Sequence, residues 1–236
     1  MWQALHEELK AYPFVVITIA LDSGGVEAAR PWIERANSTH PALVDERHNV
    51  ADLYGIINVA TAVWIDERGV IVRPPETPAT NARIAEMLGI GPTAYMDALR
   101  DWAVNGASSN YVPSEQERWR RQRTLDSDEL LAGAHFRLGE HLYARGERDA
   151  ARPYFEEAVL LRPESWTYRR QYWANYEPQN NANRVWYEAA MSTGDTPYYE
   201  PVQLGDAPAA DGAATAQKQR EVYEALFKKA FAPDDA

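Results

Sequence analysis

Residues 14–21, FVVITIAL, form a nearly continuous apolar run rich in β-branched side chains, and no other segment restricts the fold as much. Such a run reads as a strand buried on both faces, as in a parallel or mixed sheet, so the chain must provide helices above and below it. The neighbouring residues fit. Trp2, Leu5 and Leu9 stand at helical spacing, and Tyr12-Pro13 ends that helix. Asp22-Ser23-Gly24-Gly25 is a turn whose Asp22 or Ser23 can cap a helix over about residues 26–37, with Glu27 in its favoured first turn. After Pro41 come a short apolar piece, Ala42-Leu43-Val44, then Asp45 and a short helix through Asp52-Leu53-Tyr54 that Gly55 ends. Residues 62–65 (AVWI) and 70–72 (VIV) flank Asp66-Glu67-Arg68-Gly69, a hairpin signal with glycine where a positive φ is wanted. Helix and strand alternate, which indicates an α/β domain.

Pro74-Pro75 is expected to leave this unit, with helical patterns following at about residues 81–88 and 93–104. Residues 106–113 read as a turn-rich linker, and beyond them the pattern is helical only: about 128–145, 149–161 and 165–176. Residues 205–217 are small and polar enough for a flexible loop before an amphipathic helix at 218–231.

At 236 residues the chain suits two units, and 45% hydrophobic with 25% charged residues is ordinary for a packed globular protein. A net charge of −11, with neither half basic, argues against nucleic acid as a partner. No membrane partner is expected, since no apolar stretch is long enough to span a bilayer and the N-terminus is amphipathic; a cytoplasmic location follows as the expectation. There is no cysteine, which removes thiol nucleophiles, disulfides and thiolate metal sites together.

The stretch HPALVDERHNVADLYGIINVATAVWIDERGVIVRP, residues 40–74, resembles the back half of a thioredoxin-like domain of the peroxiredoxin/TlpA-ResA type. Pro41 with Leu43-Val44-Asp45, Tyr54-Gly55-Ile56, and Ala62-Val63-Trp64-Ile65-Asp66 with Gly69 carry the resemblance, which extends over about residues 1–75. It implies a cysteine motif at the start of the first helix, where the helix dipole lowers a thiol's pKa. Met1-Trp2-Gln3 would fall just beyond that motif, so the domain is expected to be N-terminally truncated or to have lacked the site. The family's cis-proline position corresponds to Ala60 before Thr61, and a cis bond without proline costs about 2.5–4 kcal/mol. In that fold the strand preceding the active-site helix is central. Without it, residues 14–21 and 62–65 are expected either to pair directly or to be covered by another chain, which makes a homo-oligomer an expectation.

Residues 134–165, AHFRLGEHLYARGERDAARPYFEEAVLLRPES, resemble one tetratricopeptide (TPR) repeat. Leu138, Gly139, Ala151, Phe155, Ala158 and Pro163 fall at that family's spacings, implying two closely packed antiparallel helices. His135 and Leu142 depart from it. One repeat cannot bury its own face, so the preceding helix and the aromatic segment 166–176 are expected as neighbours. The expected fold is thus an α/β thioredoxin-like domain over 1–106, a linker over 107–127 and an all-α TPR-like domain over 128–236.

Chemistry candidates are few. His48 near Asp45, Glu46 and Asp52 lies where α/β folds bind ligands, against the simpler reading of acidic residues opening a short helix. Asp22 could serve a site or cap a helix, and Asp66 reads as a turn residue. His135 and His141 are six apart and face different ways, which speaks against a zinc pair. Arg118, Arg120, Arg121 and Arg123 could hold an anion or neutralise the acids around them. Trp173, Trp186, Tyr198 and Tyr199 could line a binding groove or pack in a core. No phosphate-loop, dinucleotide or hydrolase-elbow motif occurs. The sequence therefore leads to a non-catalytic scaffold without cofactor or metal, binding a protein partner or a second copy through its helical half. The alternatives are a thiol oxidoreductase whose cysteines lie upstream of residue 1, and a hydrolase using His48 and carboxylates.

Overall fold

The computed structural model describes residues 1–121, 124–181, 184–205 and 210–230. The chain is mostly helical, with two small sheets, and it divides into two compact units that are each discontinuous in sequence. Unit 1 is Met1–Val59 with Trp119–Asn181; unit 2 is Ala60–Arg118 with Ala182–Ala236. Neither matches the expected domains 1–106 and 128–236: the first third of the chain is shared between the units, and so is the helical half.

Unit 1 begins with α1 (Trp2–Leu9), β1 (Thr18–Leu21), α2 (Gly25–Ala36), β2 (Ala42–Asp45) and α3 (Asn49–Tyr54). β1 and β2 pair in parallel, Thr18 opposite Ala42 through Leu21 opposite Asp45. The strand of the 14–21 run is shorter than its apolar pattern because its parallel partner offers only four residues. Leu5 and Leu9 of α1 are buried, with Val16 and Ala29. Gly55 ends α3 at φ 65°, and its N–H caps the Ala51 and Asp52 carbonyls, so the glycine supplies the left-handed turn the sequence called for.

The chain passes between units within α6 (Glu115–Arg121), a helix the sequence reading placed in the linker. Unit 1 then continues as α7 (Ser127–Ala144), α8 (Arg148–Leu161) and α9 (Trp166–Tyr176). Asp126 starts α7 with a full capping box, accepting from Asp128 N and Glu129 N while Glu129 returns to the Asp126 N–H. Ala132, Phe136, Ala151, Phe155, Ala158 and Tyr168 form the core of these three helices. A Cβ on Gly139 would meet the Phe155 ring at 3.1 Å, so glycine is what lets α7 and α8 approach. Pro163 is exposed just beyond the end of α8. One expectation fails here: Leu138 is 41% exposed, because Gly139, not its neighbour, occupies the seam.

Unit 2 holds β3 (Ala62–Ile65) and β4 (Ile71–Glu76), an antiparallel pair with register irregularities, then α4 (Ala82–Met87), α5 (Ala94–Asn105), α10 (Arg184–Met191) and α11 (Gly212–Ala230). Asp66 binds Arg68 N and Val70 N across the hairpin turn, with Gly69 at φ 78°. β4 runs on through Pro74-Pro75, contrary to expectation; in a two-stranded ribbon prolines are tolerated wherever their missing N–H would face the free edge. α11 begins at Gly212 inside the expected loop, since the alanine-rich 212–217 has high helix propensity; residues 206–209 of that loop lie outside the described residues. Residues 14–21 and 62–65 do not pair with one another: β1 and β3 belong to different sheets.

Candidate functional site

The residues that attracted attention in the first third of the chain are brought together with α7 and α9, inside unit 1. Asp45 ends β2 and accepts from Asn49 N at 2.9 Å, Val50 N at 2.8 Å and Ala51 N at 3.3 Å, so it caps α3. His48 takes a left-handed backbone, φ 53°, a conformation that costs a non-glycine residue about 1–3 kcal/mol. There its buried ring meets the Phe136 ring edge-on at 5.2 Å, and Nδ1 lies 2.8 Å from Glu140 Oε1; a carboxylate only accepts, so Nδ1 carries the proton. Asp52 accepts from Arg137 Nε at 2.9 Å and from the Tyr168 hydroxyl at 3.2 Å. Burial, with Asp52 beside it, pushes the Tyr168 phenol up to about 12. The cluster that looked most like a catalytic group thus joins the α/β layer to the helices. Asp22 accepts from Gly24 N and shapes the turn, but it does not cap α2, whose N-cap is Gly24 with no side-chain cap bond.

Beside this join lies a cleft of about 540 Å3, opening at the carboxyl ends of β1 and β2. Ser23 follows β1 and Glu46, Arg47 and Asn49 follow β2; Arg137, Glu140 and His141 come from α7, and Gln171 and Asn175 from α9. Gln171 is buried and donates to Ser23 Oγ at 2.5 Å and to Asn175 Oδ1 at 3.1 Å. Asn175 Nδ2 is buried with no hydrogen-bond acceptor, a donor left over at the wall of the cleft. Among the described residues Arg47 makes no ion pair; it is exposed at the rim. The arrangement offers carboxamide donors and acceptors and a guanidinium, but no nucleophile with an adjacent base. Among the described residues no group of three His, Asp or Glu could hold a metal ion, and no helix is long and apolar enough to cross a membrane.

The four residues offered for an aromatic groove are divided between the units, Trp173 in unit 1 and Trp186, Tyr198 and Tyr199 in unit 2. Trp173 is buried in unit 1, edge-on to Trp166 at 6.4 Å with Arg169 against both rings. Trp186 and Tyr198 pack with Tyr223 in unit 2. Tyr199 lines an open groove of about 590 Å3 with Asn81, Arg83, Met87 and Tyr223. Its backbone is held from behind by the buried Gln219, which accepts from Tyr199 N and donates to Tyr199 O. Ala60 is exposed and Thr61 half-buried. Of the arginine cluster, Arg118 donates to Pro113 O, Arg120 and Arg121 are engaged, and Arg123 lies outside the described residues.

The cleft-lining Gln171 and Asn175 were missed by sequence reasoning. Their signal was there: two carboxamides four apart on a helix with five aromatic residues. Compared with known proteins, the chain matches no family model, no curated protein and no solved structure.

Proposed function

We propose that the chain is a non-catalytic scaffold that binds an extended peptide segment of a protein partner in the unit 1 cleft. The observation that carries this reading is the unsatisfied Asn175 amide at the wall of a cleft that also presents Gln171 and the Arg47 guanidinium. A carboxamide offers one acceptor and two donors, the complement of a peptide group, and an unmet buried donor gains about 1–3 kcal/mol when an acceptor reaches it. The parallel β1–β2 pair with its connecting helix is what a thioredoxin-like domain would contribute, and the Gly139–Phe155 seam is what a TPR-like hairpin would contribute. Both resemblances support a protein-binding role over a redox one, since a chain without cysteine supplies no thiolate.

Selection of random extended peptides displayed on phage against the full chain tests the proposal. Enriched peptides should bind with micromolar affinity by calorimetry and lose at least tenfold on Arg47→Ala or Asn175→Leu. Absence of enrichment, or binding indifferent to both substitutions, would overturn it.

A further inference from the structure

The polar groups of the unit 1 cleft are unequally spent. Ser23 Oγ and Asn175 Oδ1 each accept from Gln171 Nε2, at 2.5 and 3.1 Å, and Glu140 Oε1 accepts from His48 Nδ1 at 2.8 Å. Bonds within the protein thus consume acceptors. Donors are left over: the Asn175 Nδ2 amide, buried without an acceptor, and the guanidinium of Arg47 at the rim. For a ligand's own N–H groups the cleft keeps Gln171 Oε1 and the exposed Asn49 carboxamide.

Charge is distributed in the same sense. Arg47, Arg137 and Arg145 line the cleft against two carboxylates, Glu46 and Glu140, on a chain that carries 35 acidic residues to 24 basic ones. Both carboxylates are offset from the protein side. Glu140 holds His48, and Glu46 lies against the first residue of α2, where a Cβ on Gly25 would meet its Oε1 at 2.7 Å and the positive end of a twelve-residue helix compensates it. Arg137 and Arg145 bond Asp52 and Glu147 through Nε and are more than half exposed. Exposed pairs of this kind are weak, and the terminal nitrogens of both arginines stay available to a ligand.

Among polar side chains, only the ionised carboxylates of Asp and Glu accept strongly and never donate. A backbone carbonyl can satisfy the Asn175 amide, but it brings no charge to the guanidinium of Arg47. We infer that the segment taken up by the cleft is acidic, with Asp or Glu side chains that engage Arg47 and use the donors the protein leaves over. The inference rests on the peptide-binding reading and names the chemistry of the partner. A cation-rich cleft on an otherwise acidic chain also selects among partners, because acidic segments are turned away elsewhere on the surface and accepted here.

Two synthetic twelve-residue peptides, blocked at both ends so that no terminal charge contributes, test this against the full chain by fluorescence anisotropy. One alternates Ser and Glu, the other Ser and Gln. The Glu peptide should bind at least tenfold more tightly than the Gln peptide, and at least fivefold more weakly at 0.5 M than at 0.05 M salt. Chain and peptide are both negative overall, so contact outside the cleft would instead strengthen with salt. Arg47→Gln, a change at the exposed rim, should cost the Glu peptide at least fivefold and flatten its salt dependence, which a merely distorted cleft would not do. Equal binding of the two peptides, or a salt dependence that Arg47→Gln leaves unchanged, overturns the acidic preference and leaves the cleft a peptide site. Failure of both peptides overturns it too: alone if phage selection still enriches cleft-binding peptides, together with the peptide-binding reading if nothing is enriched.

Discussion

The centres of the two units are built from opposite materials. In unit 1 the centre of the helices is apolar: Phe136 stacks on Tyr168 at 4.2 Å and meets Phe155 edge-on at 5.5 Å, with alanines and Gly139 filling the remaining space, while polar bonds such as Tyr172 to Glu156 and Tyr176 to the Arg148 carbonyl lie at its more exposed side. In unit 2 the centre is an ion. Arg73 on β4 is 1% exposed, grips Glu76 through Nε and a terminal nitrogen at 2.7 Å, and donates to the carbonyls of Tyr111 and Gln203. Its guanidinium lies over Trp64, whose indole N–H reaches the Tyr95 hydroxyl. Burial lifts the Tyr95 phenol well above its ordinary range, so that hydroxyl stays protonated as an acceptor for the indole. An apolar seam fixes distance and leaves partners interchangeable, whereas a fully used guanidinium fixes which segments meet. Arg73 ties together segments 38 and 130 residues away along the chain, connections that no short-range pattern could specify.

The comparison breaks most readily at Arg73. Arg73→Leu leaves the Glu76 carboxylate, itself only 11% exposed, and two carbonyls without their donor, and should destabilise unit 2 by about 3–5 kcal/mol. Hydrogen exchange read by mass spectrometry should show the loss in β4 and around residues 111 and 203, with α7 and α8 unchanged; equal loss in both units would mean that they unfold as one. Phe155→Ala is the matching change in unit 1, also about 3–5 kcal/mol but confined to α7–α9. Gly139→Ala should cost less, about 1–3 kcal/mol, because the Phe155 ring can retreat by a few tenths of an ångström. Unchanged melting of both variants would dismiss the seam.

The smallest effect is one of pH. An unfolded tyrosine ionises near 10, and Tyr168 in the fold only near 12. Its contribution is therefore fully present below pH 10 and is lost as the pH climbs from 10 to 12. Tyr168→Phe keeps the stack on Phe136 but has no phenol to ionise, so its melting temperature should fall less between pH 9 and 11 than that of the parent. Tyr172 and Tyr176, also raised by burial, preserve part of the slope.

What could be read in advance follows the range of the forces. α7, α8 and α9 lie within a residue or two of the sequence expectation, since capping by Asp126 and Ser165 and the 3.6-residue period are local. The β3–β4 hairpin was legible from Gly69 for the same reason. α6 and α10 were not, being only seven and eight residues long. The join beside the cleft was half legible: His48 and Asp45 stood out, but their roles depended on Glu140 and on the α3 amides. The interleaving of the units was invisible, because β1-α2-β2-α3 reads identically whether residues 60–118 or 119–181 complete its core.

Interleaving also sets an order of events on the ribosome. The first 59 residues of unit 1 leave the exit tunnel long before Phe136, Tyr168 and the Glu140 carboxylate that His48 needs. At about 5–20 residues per second, the wait for the end of α9 lasts on the order of 6–24 s. Throughout that interval FVVITIAL is a nascent sticky segment still without α7, α8 and α9 of its unit, while β3 and β4 emerge behind it. Survival of the newborn chain therefore depends on how fast translation proceeds between residues 60 and 181 and on what shields the segment meanwhile.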